Sequence, residues 1–216
     1  MNTEIIAVRH GETEWNVIEK EQGHLDSKLS DNGIRQAEML AKGLTDKNID
    51  ILISSDLGRA LQTAEIMAKR LKLDIKTDSR LKERHLGIMQ GMTQNEFSQK
   101  YPKEACAYNS GNPDYALPQG ESIRQFYERC IESAEDIAAR YPGKKVLVVV
   151  HGGTVCNFFY KATRTPLESP RYFSLFNASI CSFTINNRNW FLNTWGDVSH
   201  LNGMRVLDDS QTSSNK

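Results

Sequence analysis

The 216-residue sequence is short of several features that announce a chemistry, and each absence narrows the field. None of its four cysteines, Cys106, Cys130, Cys156 and Cys181, belongs to a Cys-x-x-Cys pair, so neither a zinc site nor a disulfide framework is suggested, and reduced, packed thiols are expected. The sixth residues beyond them are Asn112, Asp136, Ala162 and Asn187. Without a Cys-x5-Arg loop, cysteine-phosphatase chemistry is excluded. Gly-x4-Gly-Lys, Gly-x-Gly-x-x-Gly and Asp-x-Asp are also missing. Charge of one sign is not in excess: 27 Lys and Arg balance 27 Asp and Glu. No global field therefore draws the chain to nucleic acid or to an anionic membrane, and any anion it binds needs a local site. The longest apolar run, Val146 to Val150, falls far below the ~20 residues of a membrane span. Met1-Asn2-Thr3-Glu4 precedes the first apolar stretch without the basic start of a signal peptide, so a cytoplasmic protein is expected.

What is present reads as an α/β chain. Apolar residues at 39% are too many for a disordered sequence. The run up to Val8 reads as a buried strand ending at Arg9-His10-Gly11. Ser30 is a plausible N-cap for a helix carrying Ile34, Ala37, Ala41 and Leu44, which stops near Asp46. Ile51-Leu52-Ile53 is a second strand, followed by a helix marked by Ala60, Ala64, Met67, Ala68 and Leu71. A weak third strand lies around Ile75. From Glu83 to Gly120 the periodicity is poor, apart from a short helix between Thr93 and Lys100, and this stretch, 83–120, reads as a lid-like insertion. The strongest helical stripe runs from Ile123 to Tyr141. The β-branched run Val146 to Val150 suits a strand buried on both faces and ends in His151-Gly152-Gly153, from which a helix continues to about Ala162. Ile180 to Ile185 and Trp190 to Trp195, with the four residues Asn186 to Asn189 between them, read as a hairpin. The expectation is one domain over 1–207, a three-layer sandwich with a largely parallel sheet and helices on both faces, and a frayed tail over 208–216.

In such sheets ligands collect outside the carboxyl ends of the strands. Two His-Gly pairs, His10-Gly11 and His151-Gly152, each follow an apolar strand run, so both imidazoles belong on one rim. A glycine after each histidine permits a tight turn and lets main-chain N–H groups approach a ligand. Asp56-Leu57-Gly58-Arg59 puts an arginine at the exit of the second strand, beside Arg9 on the first. Two guanidinium forks and imidazole rings, with no cluster of metal ligands, suit a phosphomonoester dianion. Each residue has a plainer reading. Arg59 could pair with Asp56, Glu83 could be a solvated charge between Lys82 and Arg84, and Trp15 reads as a packing anchor. His24 and His85 read as structural or rim residues, and His200 as a support behind the pocket.

The series Val8-Arg9-His10-Gly11-Glu12-Thr13-Glu14-Trp15-Asn16, Gln22-Gly23, Leu29-Ser30, Gly33, Gln36-Ala37, Ser54-Ser55-Asp56-Leu57-Gly58-Arg59-Ala60, Gln62-Thr63-Ala64, Glu83 and His151-Gly152-Gly153 resembles the histidine phosphatase superfamily. The resemblance runs from Ile5 to about His200, and Glu83-Arg84-His85-Leu86-Gly87 and Gly196-Asp197-Val198-Ser199-His200-Leu201 look most like its phosphoglycerate-mutase-like phosphatases. It implies covalent catalysis without a metal or other cofactor. His10 would attack phosphorus, its other ring nitrogen fixed by a backbone carbonyl. Arg9, Arg59 and His151 would hold the phosphoryl oxygens, and Glu83 would act as acid and then base. Gly11, Thr13, Asn16, Gln22, Gly23, Arg84, Gly152 and Gly153 match positions lining the phosphate or substrate pocket.

The superfamily divides between mutases, which shelter the phosphohistidine and grip a second anionic group, and phosphatases, which admit water. Where mutases of this type carry a Tyr this chain has Leu86, and between Glu83 and Glu121 its only lysines and arginines are Arg84, Lys100 and Lys103. Hydrolysis of a small phosphorylated metabolite is the expectation, with a cofactor-dependent phosphoglycerate mutase as the alternative and an inactive interaction module as the third reading. No nucleic-acid or membrane partner is expected, and a homodimer is possible.

Overall fold

A computed structural model, describing residues 1–208, contains a six-stranded sheet in the order β3-β2-β4-β1-β5-β6. Its strands are β1 (Thr3–Arg9), β2 (Ile51–Ser54), β3 (Ile75–Thr77), β4 (Lys145–Val150), β5 (Ile180–Asn186) and β6 (Asn189–Asp197). β1 to β4 are parallel, and β5 and β6 add an antiparallel edge. The chain builds β1, β2 and β3 while leaving a slot, and β4 returns to fill it between β1 and β2. That reversal creates the crevice at which ligands bind in open α/β sheets.

The alternation of side chains along β4 defines the layers. Val146, Val148 and Val150 face a core shared with α6 (Ile123–Arg140) and α7 (Gly152–Thr163), through Phe126, Cys130, Ala134, Ile137 and Phe158. Leu147 and Val149 face the opposite core, with α2 (Asp31–Gly43) and α3 (Gly58–Leu71) supplying Leu40, Ala41, Ala60, Ala64 and Met67. Helices thus cover both faces, as the sequence predicts. Thr13 caps the short α1 (Glu14–Val17), Ser30 caps α2, its hydroxyl accepting the Gly33 N–H, and Ser122 starts α6 in a capping box with Gln125. Cys130, Cys156 and Cys181 are buried, as packed thiols should be, but Cys106 is exposed.

Three local features differ from expectation. The hairpin connection is shorter, because Asn186 pairs with Asn189 and leaves only Asn187 and Arg188, at φ 47° and 65°. Both lie in the left-handed region that a two-residue hairpin of the tight, strand-matching kind requires. The 83–120 segment carries not only α4 (Gln94–Lys100), close to its expected place, but also α5 (Pro102–Asn109). Only Ala105 of α5 is buried, so its sequence has no apolar stripe to read. Asp208 does not fray: it bridges Phe176, and its carboxylate accepts the Leu175 N–H. The rest of the expected tail, 209–216, lies outside the described residues. Among the described residues no helix is long and apolar enough to cross a membrane.

Candidate active site

Parallel pairing of β1 with β4 sets Arg9 opposite Val150, so the residues that follow, His10 and His151, emerge side by side. Their ring centroids are 5.3 Å apart, and the His10 N–H donates to the Val150 carbonyl at 2.9 Å. His10 is buried, and its Nδ1 lies 2.8 Å from the Gly11 carbonyl oxygen. Since a carbonyl only accepts, Nδ1 carries the proton and Nε2 keeps its lone pair. Arg59 Nε donates to that lone pair at 3.3 Å. Burial first, then the Arg59 and Arg9 guanidinium groups, hold the His10 ring well below its ordinary 6.5. The ring is therefore neutral, the form a nucleophile needs.

His151 is equally buried, and its Nε2 shares a hydrogen bond with Ser55 Oγ at 2.8 Å. Burial, Arg59 and His10, in that order, lower its pKa as well. His151 is also the N-cap of α7, so the N–H groups of the first turn, beginning with the buried Gly152, open beside the two rings. A helix N-terminus of this length favours an anion.

Arg59 starts α3 and is 1% exposed. Its partner is not Asp56, which pairs with Lys82 at 3.1 Å. Instead Arg59 Nη1 donates to Asp26 Oδ1 at 2.8 Å and to the Leu25 carbonyl, and Nη2 donates to the Gly23 carbonyl. The Asp26 carboxylate also accepts the Gly58 and Arg59 backbone N–H groups, capping α3 from a distant loop. That double grip turns Nε toward His10. Arg9 is buried beside the rings and donates Nη1 to the Leu175 carbonyl at 2.9 Å.

Glu83 leans into the same crevice. Its two carboxylate oxygens accept the Arg84 N–H at 2.8 Å and the Gly153 N–H at 3.0 Å. A Cβ on Gly153 would lie 2.4 Å from Glu83 Oε1 and 2.7 Å from the Phe126 ring, so a side chain there would displace the carboxylate or the ring. His10, Arg9, Arg59, His151, Glu83, Gly152 and Gly153 thus come together. Among the described residues, no three His, Cys, Asp or Glu side chains share a place where they could hold a metal ion.

The remaining residues divide. Asn16 Oδ1 accepts from Thr13 and from Asn177 Nδ2, while its own Nδ2 has no acceptor among the described residues. Thr13 is fully buried, its hydroxyl engaged with Asn16 and Gln22, so it shapes the loop rather than facing a ligand. Gln22 is likewise committed, to Thr13 and Ser27. Gly23, at φ +53°, offers its carbonyl to Arg59. The Gly11 N–H is spent on Thr63 Oγ1, and a Cβ on Gly11 would lie 2.5 Å from the Gly33 carbonyl oxygen. That glycine serves backbone packing against α2, not approach to a ligand. Arg84 Nε and Nη2 donate to the Glu121 and Tyr115 carbonyls, and its guanidinium lies over the Tyr108 ring, so it braces the 83–120 segment.

His24 donates Nε2 to the Glu83 carbonyl and meets His85 edge-on, with ring centroids 4.6 Å apart. His200 stands behind the crevice: its Nε2 reaches the Ala178 carbonyl at 3.0 Å, and the Ala178 N–H donates to the His10 carbonyl. Trp15 is half-buried against Gly91 and Lys20. Sequence reasoning missed Asp26, Asn177, Glu121 and Arg129. Each acts on backbone groups from another part of the chain, which leaves no local signal beyond a polar residue next to a motif or on a helix.

Known proteins match this arrangement. The model of the histidine phosphatase superfamily (branch 1) matches residues 5–198. Phosphoglycerate mutase-like protein 4 of Arabidopsis thaliana is 39% identical over 202 residues, covering 92% of this chain and 86% of that protein. A metal-independent phosphoserine phosphatase of the same plant is 35% identical over 208 residues, covering 95% and 86%. Among solved structures, Bacillus stearothermophilus YhfR superposes with a TM-score of 0.85 at 33% identity, over 92% of this chain and 98% of that one. With its paired histidines at adjacent strand ends and a match along nearly its whole length, the chain belongs to the histidine phosphatase superfamily, as a phosphatase or mutase of branch 1.

Proposed function

We propose that the protein hydrolyses a small phosphomonoester without a metal, through a phosphohistidine at His10. The observation that carries this reading is the His10 ring itself: Nδ1–H tied to Gly11, Nε2 unprotonated, and Arg59 Nε set against it. Nε2 attacks phosphorus as the ester P–O bond breaks, and the leaving oxygen takes a proton from Glu83. Water then attacks phosphorus, forming a new P–O bond as the P–N bond breaks; Glu83 takes the water's proton, and the P–N electrons return to Nε2. Arg9, Arg59, His151, the α7 N-terminus and Asn16 Nδ2 are fixed before the reaction, so they stabilise equatorial charge with little reorganisation.

The 83–120 segment favours water over a phosphate acceptor. Arg84 is engaged with two carbonyls and Tyr108. Lys100 is exposed over the Tyr101 ring, and Lys103 is exposed. Leu86 is buried in the segment's own apolar cluster. Among the described residues of the segment, no cation is both buried and unengaged: Arg84 is held by carbonyls and the two lysines are exposed. The test is incubation with 3-phosphoglycerate, with and without 2,3-bisphosphoglycerate, beside a panel of monoesters. Release of phosphate from some monoester should far exceed primed formation of 2-phosphoglycerate; a primed mutase rate above the best hydrolytic rate would reverse the reading.

A further inference from the structure

Arg129, on α6, is the most fully engaged cation near the crevice, and nothing in the proposed chemistry uses it. A guanidinium has five N–H donors, and the Arg129 group spends them all. Nε donates to Glu121 Oε2 at 2.9 Å and Nη2 to Glu121 Oε1. Nη1 donates to the Arg80 and Lys82 carbonyls at 2.8 and 2.7 Å, and Nη2 also donates to the Glu83 carbonyl at 2.8 Å. The planar group lies over the Phe126 ring, the ring that also borders Gly153. One side chain therefore holds three carbonyls of the segment that delivers Glu83.

Glu121 closes the other half of the arrangement. Its N–H donates to the His85 carbonyl at 2.9 Å, and the His85 N–H donates to Glu121 Oε1 at 2.8 Å. These reciprocal bonds join the two ends of the 83–120 segment at its neck. A bidentate Arg–carboxylate pair with both partners mostly buried is stiff as well as strong.

Building on the acid role assigned above to Glu83, we propose that Arg129 and Glu121 are positioning residues: their pair clasps the neck of the 83–120 segment and thereby seats the Glu83 carboxyl group for proton transfer. Neither touches the reacting atoms. The clasp acts only through the backbone of Glu83, so its loss should imitate loss of the acid rather than loss of the phosphate pocket.

The test uses Glu83→Gln, Arg129→Lys, Glu121→Gln and the double variant Arg129→Lys/Glu83→Gln. Lysine keeps the charge but cannot span three carbonyls and both carboxylate oxygens. Each is assayed on p-nitrophenyl phosphate, whose leaving group needs no proton. The second probe is whichever alkyl monoester wild type turns over fastest among phosphoserine, glycerol phosphates and sugar phosphates. Arg129→Lys and Glu121→Gln should each lower kcat/KM, which reports phosphoryl transfer to His10 and not the later attack of water, by about tenfold or more on the alkyl ester, part of the ~10²- to 10⁴-fold that general acid–base catalysis supplies, and by less than about threefold on p-nitrophenyl phosphate. On the alkyl ester the double variant should be no slower than Glu83→Gln alone, because the clasp has no acid left to seat. Equal losses on both probes, or losses that multiply in the double variant, would overturn the proposal. If Glu83→Gln itself spares the alkyl ester, the acid assignment falls and the clasp with it. Thermal melts of all four variants identify any that lose fold, and Glu121→Gln, which leaves α6 untouched, then decides alone.

Discussion

The strand-end crevice and the 83–120 segment both serve one proposed reaction, but they are held in opposite ways. His10 and His151 leave the ends of two adjacent core strands, and β4 is fully buried from Val146 to Val150. Their rings are fixed by the sheet and by a few polar contacts, His10 with Gly11 and Arg59 and His151 with Ser55. The 83–120 segment has a separate, smaller core of Leu86, Met89, Phe97, Ala105 and Leu117. It is joined to the sheet's side of the molecule through polar neck contacts, Glu121 with His85 and Arg129. The crevice proposed to bind the phosphoryl group is thus built into the sheet, whereas the segment proposed to carry the leaving-group side rests on hydrogen bonds and a few rings. Local opening follows the weaker of two such units.

This contrast can be sharpened by substitution. His10→Ala should abolish turnover of every monoester, by on the order of a thousandfold or more, with no rescue by a good leaving group. Retained hydrolysis of p-nitrophenyl phosphate would place the nucleophile elsewhere. Phe97→Ala attacks the other region. Phe97 is 1% exposed, with Tyr101 and Tyr108 ring centroids at 5.9 and 6.5 Å. Removing such a ring costs about 3 to 5 kcal/mol, much for so small a cluster to absorb. The variant should show increased amide exchange confined to α4 and α5 and a larger loss on alkyl esters than on p-nitrophenyl phosphate. Exchange spreading equally into β1 and β4 would mean that the two regions open as one.

The smallest effect is on pH dependence. The buried His10 and His151 rings have pKa values held well below 6.5, so in acid the unfolded chain takes up protons that the folded chain refuses. Their contribution is fully present above pH ~6.5 and is lost as pH falls toward the folded values, at up to about 1.4 kcal/mol per pH unit for each ring. His24 and His200, also lowered mainly by burial, add to the same slope. Melting temperature should be level near neutrality and drop below pH ~6.5, and His151→Asn should drop less steeply. An unchanged slope in that variant would mean that His151 is not held neutral.

Much of the fold was legible because it is written in short-range patterns. Val146 to Val150 announces a strand buried on both faces, and Ser30 announces a helix start; both hold. The β5–β6 connection was read two residues too long because pairing, not composition, decides where a hairpin closes. Helix α5 escaped notice because it buries one residue. Within the crevice, Arg9, His10, Arg59 and His151 were legible from the strand exits and the resembling series together, whereas Glu83 was legible from the series alone. Thr13, Gln22 and Arg84 were placed on the ligand side by the same series, yet the polar atoms of Thr13 and Gln22 are committed to the loops that carry them, and Arg84 spends Nε and Nη2 on the Glu121 and Tyr115 carbonyls.

The sequence by itself determined the layers, the strands that end in His-Gly, and the balance of charge that leaves anion binding to a local site. Those are properties of neighbours along the chain, set by periodicity and by the buried run of each strand. Only the tertiary structure decided that Asp26 rather than Asp56 aims Arg59, that Gly11 packs against Gly33 rather than a ligand, and that Arg129 and Glu121 hold the backbone of Glu83. Each of these joins groups far apart in the chain, 33 residues for Arg59 with Asp26 and 46 for Arg129 with the Glu83 carbonyl. A backbone carbonyl looks the same at every residue, so which of them a guanidinium will meet is fixed only when the chain has folded.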